Sequence, residues 1–430
     1  MDEHPAPEGV VADRLTATAN TLPPLERTVF SLLGLHPAPA RIGAEEAAAL
    51  SGLDPGEAAG ALGVLAQAHL LAPAEGGVWR MHDAVAAVAD RAARALGTGA
   101  ARAATARLVH HAVAAATAAD AAANPARSWR LCTPESEVPE PLPVTTTAEA
   151  LDWFEAREPL LHGLLQLAHE AGMHKEVCAL AEALRTWIHA RRPLRVWLRA
   201  CELGAASAQL LGAPGPRAAM ALLDHSRLMS QLRYSEAAQA ARTALGHAEQ
   251  AGNPLAEGSA WQSLGSANRK LGNLRAAVCC CERAVELYEQ AGHARGAAVQ
   301  RRFLGMALVA DGRPAEALAA YSRALEVLEQ AGDTVQAAHA LIASAEVLTD
   351  LDRPEEAAAA AARALETALQ AGHGPQAVRA HRVLARAAQV RGDLEAARTH
   401  LHTALEQARW TTPHQVGDLV NRLDRLDRHG

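Results

Sequence analysis

The side chains of this chain with the most chemical capacity are its histidines, cysteines and arginines. The most suggestive local pattern is His169-Glu170-Ala171-Gly172-Met173-His174. A zinc hydrolase places two histidines four residues apart on one helix face, with a glutamate between them as general base. Here the second histidine comes five residues on, and Gly172 is expected to end the helix between them. Cys279-Cys280-Cys281 step about 100° apart around a helix and cannot converge on one ion. The adjacent pair His110-His111 likewise looks to different faces. Phosphate chemistry of the P-loop kind needs a glycine-rich turn ending in Gly-Lys-Ser/Thr. The two lysines, Lys175 and Lys270, follow a histidine and an arginine instead. No Ser-His-Asp or Cys-His arrangement is legible, so neither enzyme activity, nor a metal, nor a cofactor is expected.

The elements that carry these residues are helices in a repeat. Leu211-Gly212, Ala251-Gly252, Ala291-Gly292, Ala331-Gly332 and Ala371-Gly372 recur with a step of 40 residues. A second marker, at Leu232, Gly272, Gly312, Asp352 and Gly392, falls midway with the same step. Two stops per period, separated by apolar helical runs, predict stacked helix–turn–helix units. Alanine returns at Ala237, Ala277, Ala317, Ala357 and Ala397, and again seven residues later at Ala244, Ala284, Ala324, Ala364 and Ala404. Small residues two turns apart let paired helices approach closely. The fold class is therefore mainly α: an α-solenoid of period 40 over residues 211–412.

Composition agrees. The chain of 430 residues is 50% hydrophobic but only 3% aromatic, so alanine rather than large side chains fills the helix contacts. No apolar run reaches the length of a membrane span, and Met1-Asp2-Glu3-His4-Pro5 does not open a signal peptide. Six cysteines without CxxC spacing suit reduced thiols, and a cytoplasmic location is expected. A net charge of −7 argues against general nucleic-acid binding, and no membrane partner is expected.

Residues 1–21 read as a flexible arm. Over residues 22–96, three helices are expected, the third opened by Asp54 as N-cap with Pro55 behind it. A turn at Pro73-Ala74-Glu75-Gly76-Gly77 then joins two short strands, which makes a winged helix. No Lys or Arg lies between Arg41 and Arg80, and the third helix offers only Gln67 and His69, so direct DNA binding is not expected. Residues 97–123 form a helical connector, and the prolines of residues 124–147 a stiff linker. Residues 148–210 read as a degenerate leading repeat, where Trp197 stands in the place of Ala237. Arg185, Arg191, Arg192, Arg195 and Arg199 there suit a solvated face, with Trp187 and Trp197 in the core. Residues 413–430 form a capping helix with Leu419, Leu423 and Leu426 on one side.

Two resemblances follow from these residues. Trp261-Gln262-Ser263-Leu264-Gly265 with Ala277 and Ala284 resembles the tetratricopeptide repeat (TPR) signature, on a period six residues longer than the usual 34. Leu33-Gly34-Leu35-His36-Pro37, Ala68-His69-Leu70-Leu71, Arg80-Met81-His82-Asp83 and Leu151-Asp152-Trp153-Phe154-Glu155-Ala156-Arg157 are similar to the winged-helix and TPR half of STAND (NB-ARC) regulators. The SARP-type TPR regulators are the nearest in pattern, without their nucleotide-binding core. The first resemblance implies a binding groove along the first helix of each unit. Its positions here are Ser259, Gln262, Ser266, Arg269 and Lys270, then Val299, Arg302, Met306 and Val309. They continue with His339, Ile342, Glu346 and Thr349, then Arg379, Arg382, Arg386 and Gln389. That wall is mostly basic, and implies a protein or peptide partner carrying acidic groups, with Arg302 and Arg382 as bidentate donors. The expected function is a protein–protein interaction module of a transcriptional or signalling regulator. The alternative is a biosynthetic accessory protein or enzyme holding a small anion on the same arginines. A homo-oligomer stays open beside both.

Overall fold

Alanine-rich runs bounded by glycine favour helix with sharp stops, and helix is what the chain forms. The computed structural model describes residues 8–124, 127, 129–133, 144–370 and 372–429. They divide into two units, residues 1–227 and 228–430, with the boundary inside one helix.

The first unit opens with α1 (Glu8–Thr21), α2 (Pro24–Leu33), α3 (Ala44–Ser51) and α4 (Pro55–Gln67). The flexible arm expected over residues 1–21 is thus corrected to helix from Glu8 onward. Leu15, Ala19 and Leu22 share one face of α1 and its exit, and Ala19 and Leu22 are buried. Helix α4 starts with a capping box: the Asp54 carboxylate accepts the Glu57 N–H at 2.8 Å, and Glu57 accepts the Asp54 N–H at 3.3 Å. Strands β1 (Ala72–Ala74) and β2 (Val78–Arg80) pair antiparallel, and Ile42 exchanges two backbone hydrogen bonds of 2.8 Å with Trp79. Helices α5 (Asp83–Arg94) and α6 (Thr98–Ala123) follow, then α7 (Thr147–Ala156), α8 (Glu158–Glu170), α9 (His174–Ala183), α10 (Arg185–Arg191) and α11 (Leu194–Leu211). Helix α12 (Pro214–Ser230) carries the unit boundary. One continuous apolar cluster runs from Ala19 to Leu223, so α6 is a core helix of this unit rather than a connector. Trp187 and Trp197 lie inside it.

Of the proline-rich stretch at 124–147, residues 125, 126, 128 and 134–143 lie outside the described residues. Residues 127 and 130–132 are anchored, not extended away. Asp120, on α6, is fully buried and takes Arg130 at 2.6 Å and Arg127 at 3.6 Å. Glu182, on α9, takes Arg127 at 3.3 Å and accepts the backbone N–H groups of Leu131 and Cys132 at 3.1 and 2.8 Å. Two buried carboxylates therefore clasp a strap of chain, taking its backbone donors and balancing its arginines, although Arg127 Nη1 and Asp120 Oδ1 keep no hydrogen-bond partner.

The second unit is regular. From α13 (Tyr234–Gln250) the helices are α14 (Pro254–Lys270), α15 (Leu274–Gln290), α16 (Ala294–Ala310) and α17 (Pro314–Gln330). They continue as α18 (Thr334–Asp350), α19 (Pro354–Gln370), α20 (Gly374–Val390) and α21 (Leu394–Thr411). The short turn Pro413–Gln415 leads into α22 (Val416–His429). All ten alanines of the two recurring positions are fully buried. The Leu-Gly of the signature has a packing cause as well. A Cβ on Gly305 would stand 2.4 Å from the Tyr321 ring, and one on Gly265 2.9 Å from Cys281 Sγ. Helix α22 lays Leu419, Leu423 and Leu426 over α21 and buries the end of the stack.

Most stops are glycines with positive φ, but Leu232 (φ 61°) and Asp352 (φ 60°) adopt the same left-handed turn with a Cβ. That conformation costs about 1–2 kcal/mol for an L-residue, and Leu232, 70% exposed, recovers little by packing. Leu232→Gly is expected to raise stability by about 0.5–1 kcal/mol, after the unfolded-state entropy of glycine is counted. Urea unfolding of the two proteins measures it; a destabilised variant would mean that the leucine packs in solution.

Candidate functional site

Successive first helices of the second unit pack on one another, α14 on α16, α16 on α18 and α18 on α20. No comparable packing joins successive second helices among the described residues. The first helices therefore line the shorter, inner wall, which is where the TPR-derived positions fall.

That wall is not mostly basic once neighbouring helices are paired. Arg379 (α20) meets Glu346 (α18) at 3.2 Å, and Arg386 meets Asp350 at 2.5 Å. Arg295 (α16) pairs with Asp333, just before α18. Arg382, read in sequence as a free donor, is drawn to the C-terminal helix, with Gln415 Oε1 at 3.3 Å and Asp418 at 3.7 Å. These partners lie 33 to 38 residues apart in sequence. The pairing is set by the stagger between adjacent first helices, which a count along one helix does not reveal.

Arg302 is different. Its guanidinium lies over the Phe303 ring at 4.3 Å, and its Nη1 donates to Met306 Sδ at 3.6 Å. Its Nε is buried without a hydrogen-bond partner. Burial, and then the nearby Arg379, draw its pKa down to about 10, so its charge is held at a cost that Tyr321 and, less, Asp333 only partly offset. Tyr321, from α17, stands behind it; burial pushes the phenol up to about 12, and the charges acting on it are Arg302, Glu346, Arg269 and Arg379. His339 of α18 faces the same space, with its Nε2 3.1 Å from Gln376 Nε2 of α20.

Arg269, Arg302 and Arg379 thus act on Tyr321, with Glu346 paired to Arg379, while Arg302 and Arg379 also act on His339. Gln262 stays apart, donating to Ser266 of its own helix at 2.9 Å. Lys270 is exposed at the end of α14. Tyr321, Gln376 and His373 were not among the residues singled out from sequence. The available signal was that Tyr321 is a tyrosine at the position held by Cys281, Ala361 and Leu401 in other units.

The remaining candidates resolve into packing. His169 and His174 do come together across the turn, both ring Nδ1 atoms reaching Ser207 Oγ, at 2.9 and 3.3 Å. No third metal-binding side chain joins them among the described residues. Cys280 and Cys281 are buried and Cys279 is exposed. Among the described residues no helix is long and apolar enough to cross a membrane.

A second histidine pair bears on stability. His381 Nδ1 (α20) and His400 Nδ1 (α21) are 3.2 Å apart, so one ring must accept from the other and both cannot be protonated at ease. Burial, with His400 adding, lowers His381 to about 4; burial and Arg391 lower His400. Folded values below the unfolded one mean that this contribution is complete above about pH 6.5 and is lost as pH falls toward 4. His381→Leu should flatten the fall of Tm between pH 7 and 5; an unchanged slope would place acid lability elsewhere.

Residues 255–330 and 295–370 match the tetratricopeptide repeat family. No curated protein matches the chain at a significant level. Among solved structures, the chain resembles a Signal Transduction ATPase with Numerous Domains (STAND) protein with a tetratricopeptide repeat sensor from Pyrococcus horikoshii. Identity is 13% and the TM-score 0.51, over 99% of this chain and 63% of that one. BtubC from P. vanneervenii aligns with 16% identity and TM-score 0.44, over 51% of this chain and 91% of its own. Yeast Tom70 aligns with 12% identity and TM-score 0.43, over 90% and 81%. At these identities the likeness is one of fold, and the chain spans 63% of the length of the STAND protein.

Proposed function

We propose that the inner wall of the second unit receives a segment of a protein partner, anchored by an acidic side chain on Arg302. The observation that carries this reading is the state of Arg302: a guanidinium with a buried, unpartnered Nε and no carboxylate at ion-pair distance among the described residues, on a wall where Arg379 and Arg386 are already paired. A desolvated cation with open donor positions gains more from an incoming carboxylate than a solvated one does. Arg269, Gln262 and Lys270 extend the surface along α14, while His339 and the Arg379–Glu346 pair border it on α18 and α20. Arg382 and Arg386 contribute less, since each has an internal carboxylate.

The role is recognition within a regulator. The first unit supports it with a helix–helix–helix–hairpin arrangement that we read as a winged helix used for packing, since α4 carries no Arg or Lys. The STAND protein it resembles has a TPR sensor, and the same division of labour is our reading here, with any nucleotide chemistry outside this chain. A small anion bound by a biosynthetic accessory protein would use the same anchor. The length of the wall, four first helices in succession, favours an extended peptide. Selection of a phage-displayed peptide library on the intact chain tests this: peptides enriched in Asp or Glu at one fixed position are expected. Enrichment of purely apolar or basic peptides would remove Arg302 as the anchor.

A further inference from the structure

His339 follows Arg302 by the same 37 residues that separate it from Gln376, its hydrogen-bonded neighbour on the next first helix, so the repeat sets Arg302 of α16 beside it. The charges that act on it are Arg302 from α16, Arg379 from α20 and His373 from the turn before α20. The carboxylates near this space are engaged: Asp333 with Arg295, Glu346 with Arg379. Tyr321, from α17, is a neutral phenol. The imidazole is therefore surrounded by positive charge and stays neutral; burial, then Arg302, hold its pKa down to about 3.

The neighbouring amide is arranged for two states. Gln376 Nε2 donates to His339 Nε2, which is thereby the unprotonated ring nitrogen, while Gln376 Oε1 is buried without a partner. A primary amide carries a donor at one end and an acceptor at the other, and a half-turn about its last bond exchanges them. Its orphan oxygen would then accept the proton of a doubly protonated ring, so one side chain satisfies both forms of His339.

We propose that binding of an anion at Arg302 is coupled to protonation of His339, so that the inner wall grips an acidic ligand more tightly as pH falls. The proposal rests on the reading of Arg302 as an anion anchor. An anion there cancels the nearest charge opposing the imidazolium and adds a favourable one. By reciprocity, whatever the ligand does for the proton, the proton does for the ligand. Affinity then rises between pH 7.5 and 5.5 by up to about tenfold, the limit reached when the anion offsets burial as well as Arg302 and returns His339 to its ordinary value.

Sulfate is the probe, because its charge is constant over this range. Its affinity for the intact chain would be measured by NMR at pH 7.5 and 5.5, for the wild type, His339→Gln and Arg302→Gln. Tighter binding at the lower pH, by up to about tenfold, is expected, abolished in H339Q, with the His339 ring resonances titrating at higher pH when sulfate is present. Equal wild-type affinity at both pH values, or an undiminished pH effect in H339Q, overturns the coupling while leaving the anchor in place. Binding that R302Q does not weaken overturns the anchor, and the coupling with it. Should H339Q fail to fold, the wild-type ring titration with and without sulfate decides alone.

Discussion

Glu182→Ala should destabilise the first unit by about 3–5 kcal/mol. Its carboxylate is 4% exposed and does three things at once: it balances Arg127 and accepts the N–H groups of Leu131 and Cys132. Removing it leaves a buried guanidinium short of charge and two backbone donors with nothing to bond, each a recognised source of large losses. Asp120, wholly buried under Arg127 and Arg130, is coupled to the same network, so the double variant should lose less than the sum of the singles. Denaturant unfolding of the four proteins of that cycle gives the answer. A single variant within about 1 kcal/mol of wild type would show that the strap is held by its apolar contacts.

The second large effect is at the inner wall. Arg302→Glu should weaken binding of a selected acidic peptide by a hundredfold or more, since attraction becomes repulsion in a site poorly screened by water. Arg386→Glu is the matched control: it is half-exposed and already paired with Asp350, so its reversal should cost far less. Fluorescence anisotropy with the labelled peptide separates the two. Equal losses would mean that the wall attracts through its summed field, with no particular anchor.

How much of this could be read from residues alone depends on which partners set each feature. The repeat was legible because its determinants are local. Gly272 or Gly312 ends a helix through its own backbone, and Ala317 and Ala324 are small wherever helices must close up. The strap at residues 127–132 was not legible, because proline density there suggested extended chain while its fixing points, Asp120 and Glu182, sit on other helices. Helix α1 was missed because its apolar face is only Leu15, Ala19 and Leu22, diluted by threonines. The groove was half legible. The TPR pattern located the wall and included Arg302, but the pairing of Arg379 with Glu346 and of Arg382 with Asp418 depends on the stagger between units. That stagger also decides which arginine is left over, and brings Tyr321 to it from a second helix.

The ion pairs between first helices have a mechanical side. Each one is a tie between consecutive turns of a coil, placed on the inside, where a small change in spacing is magnified at the ends. A ligand carboxylate that draws Arg379 from Glu346 cuts the tie between α18 and α20 and replaces it with one to itself. Loss of any one tie would free the spacing of the two helices it joins and leave the other ties in place.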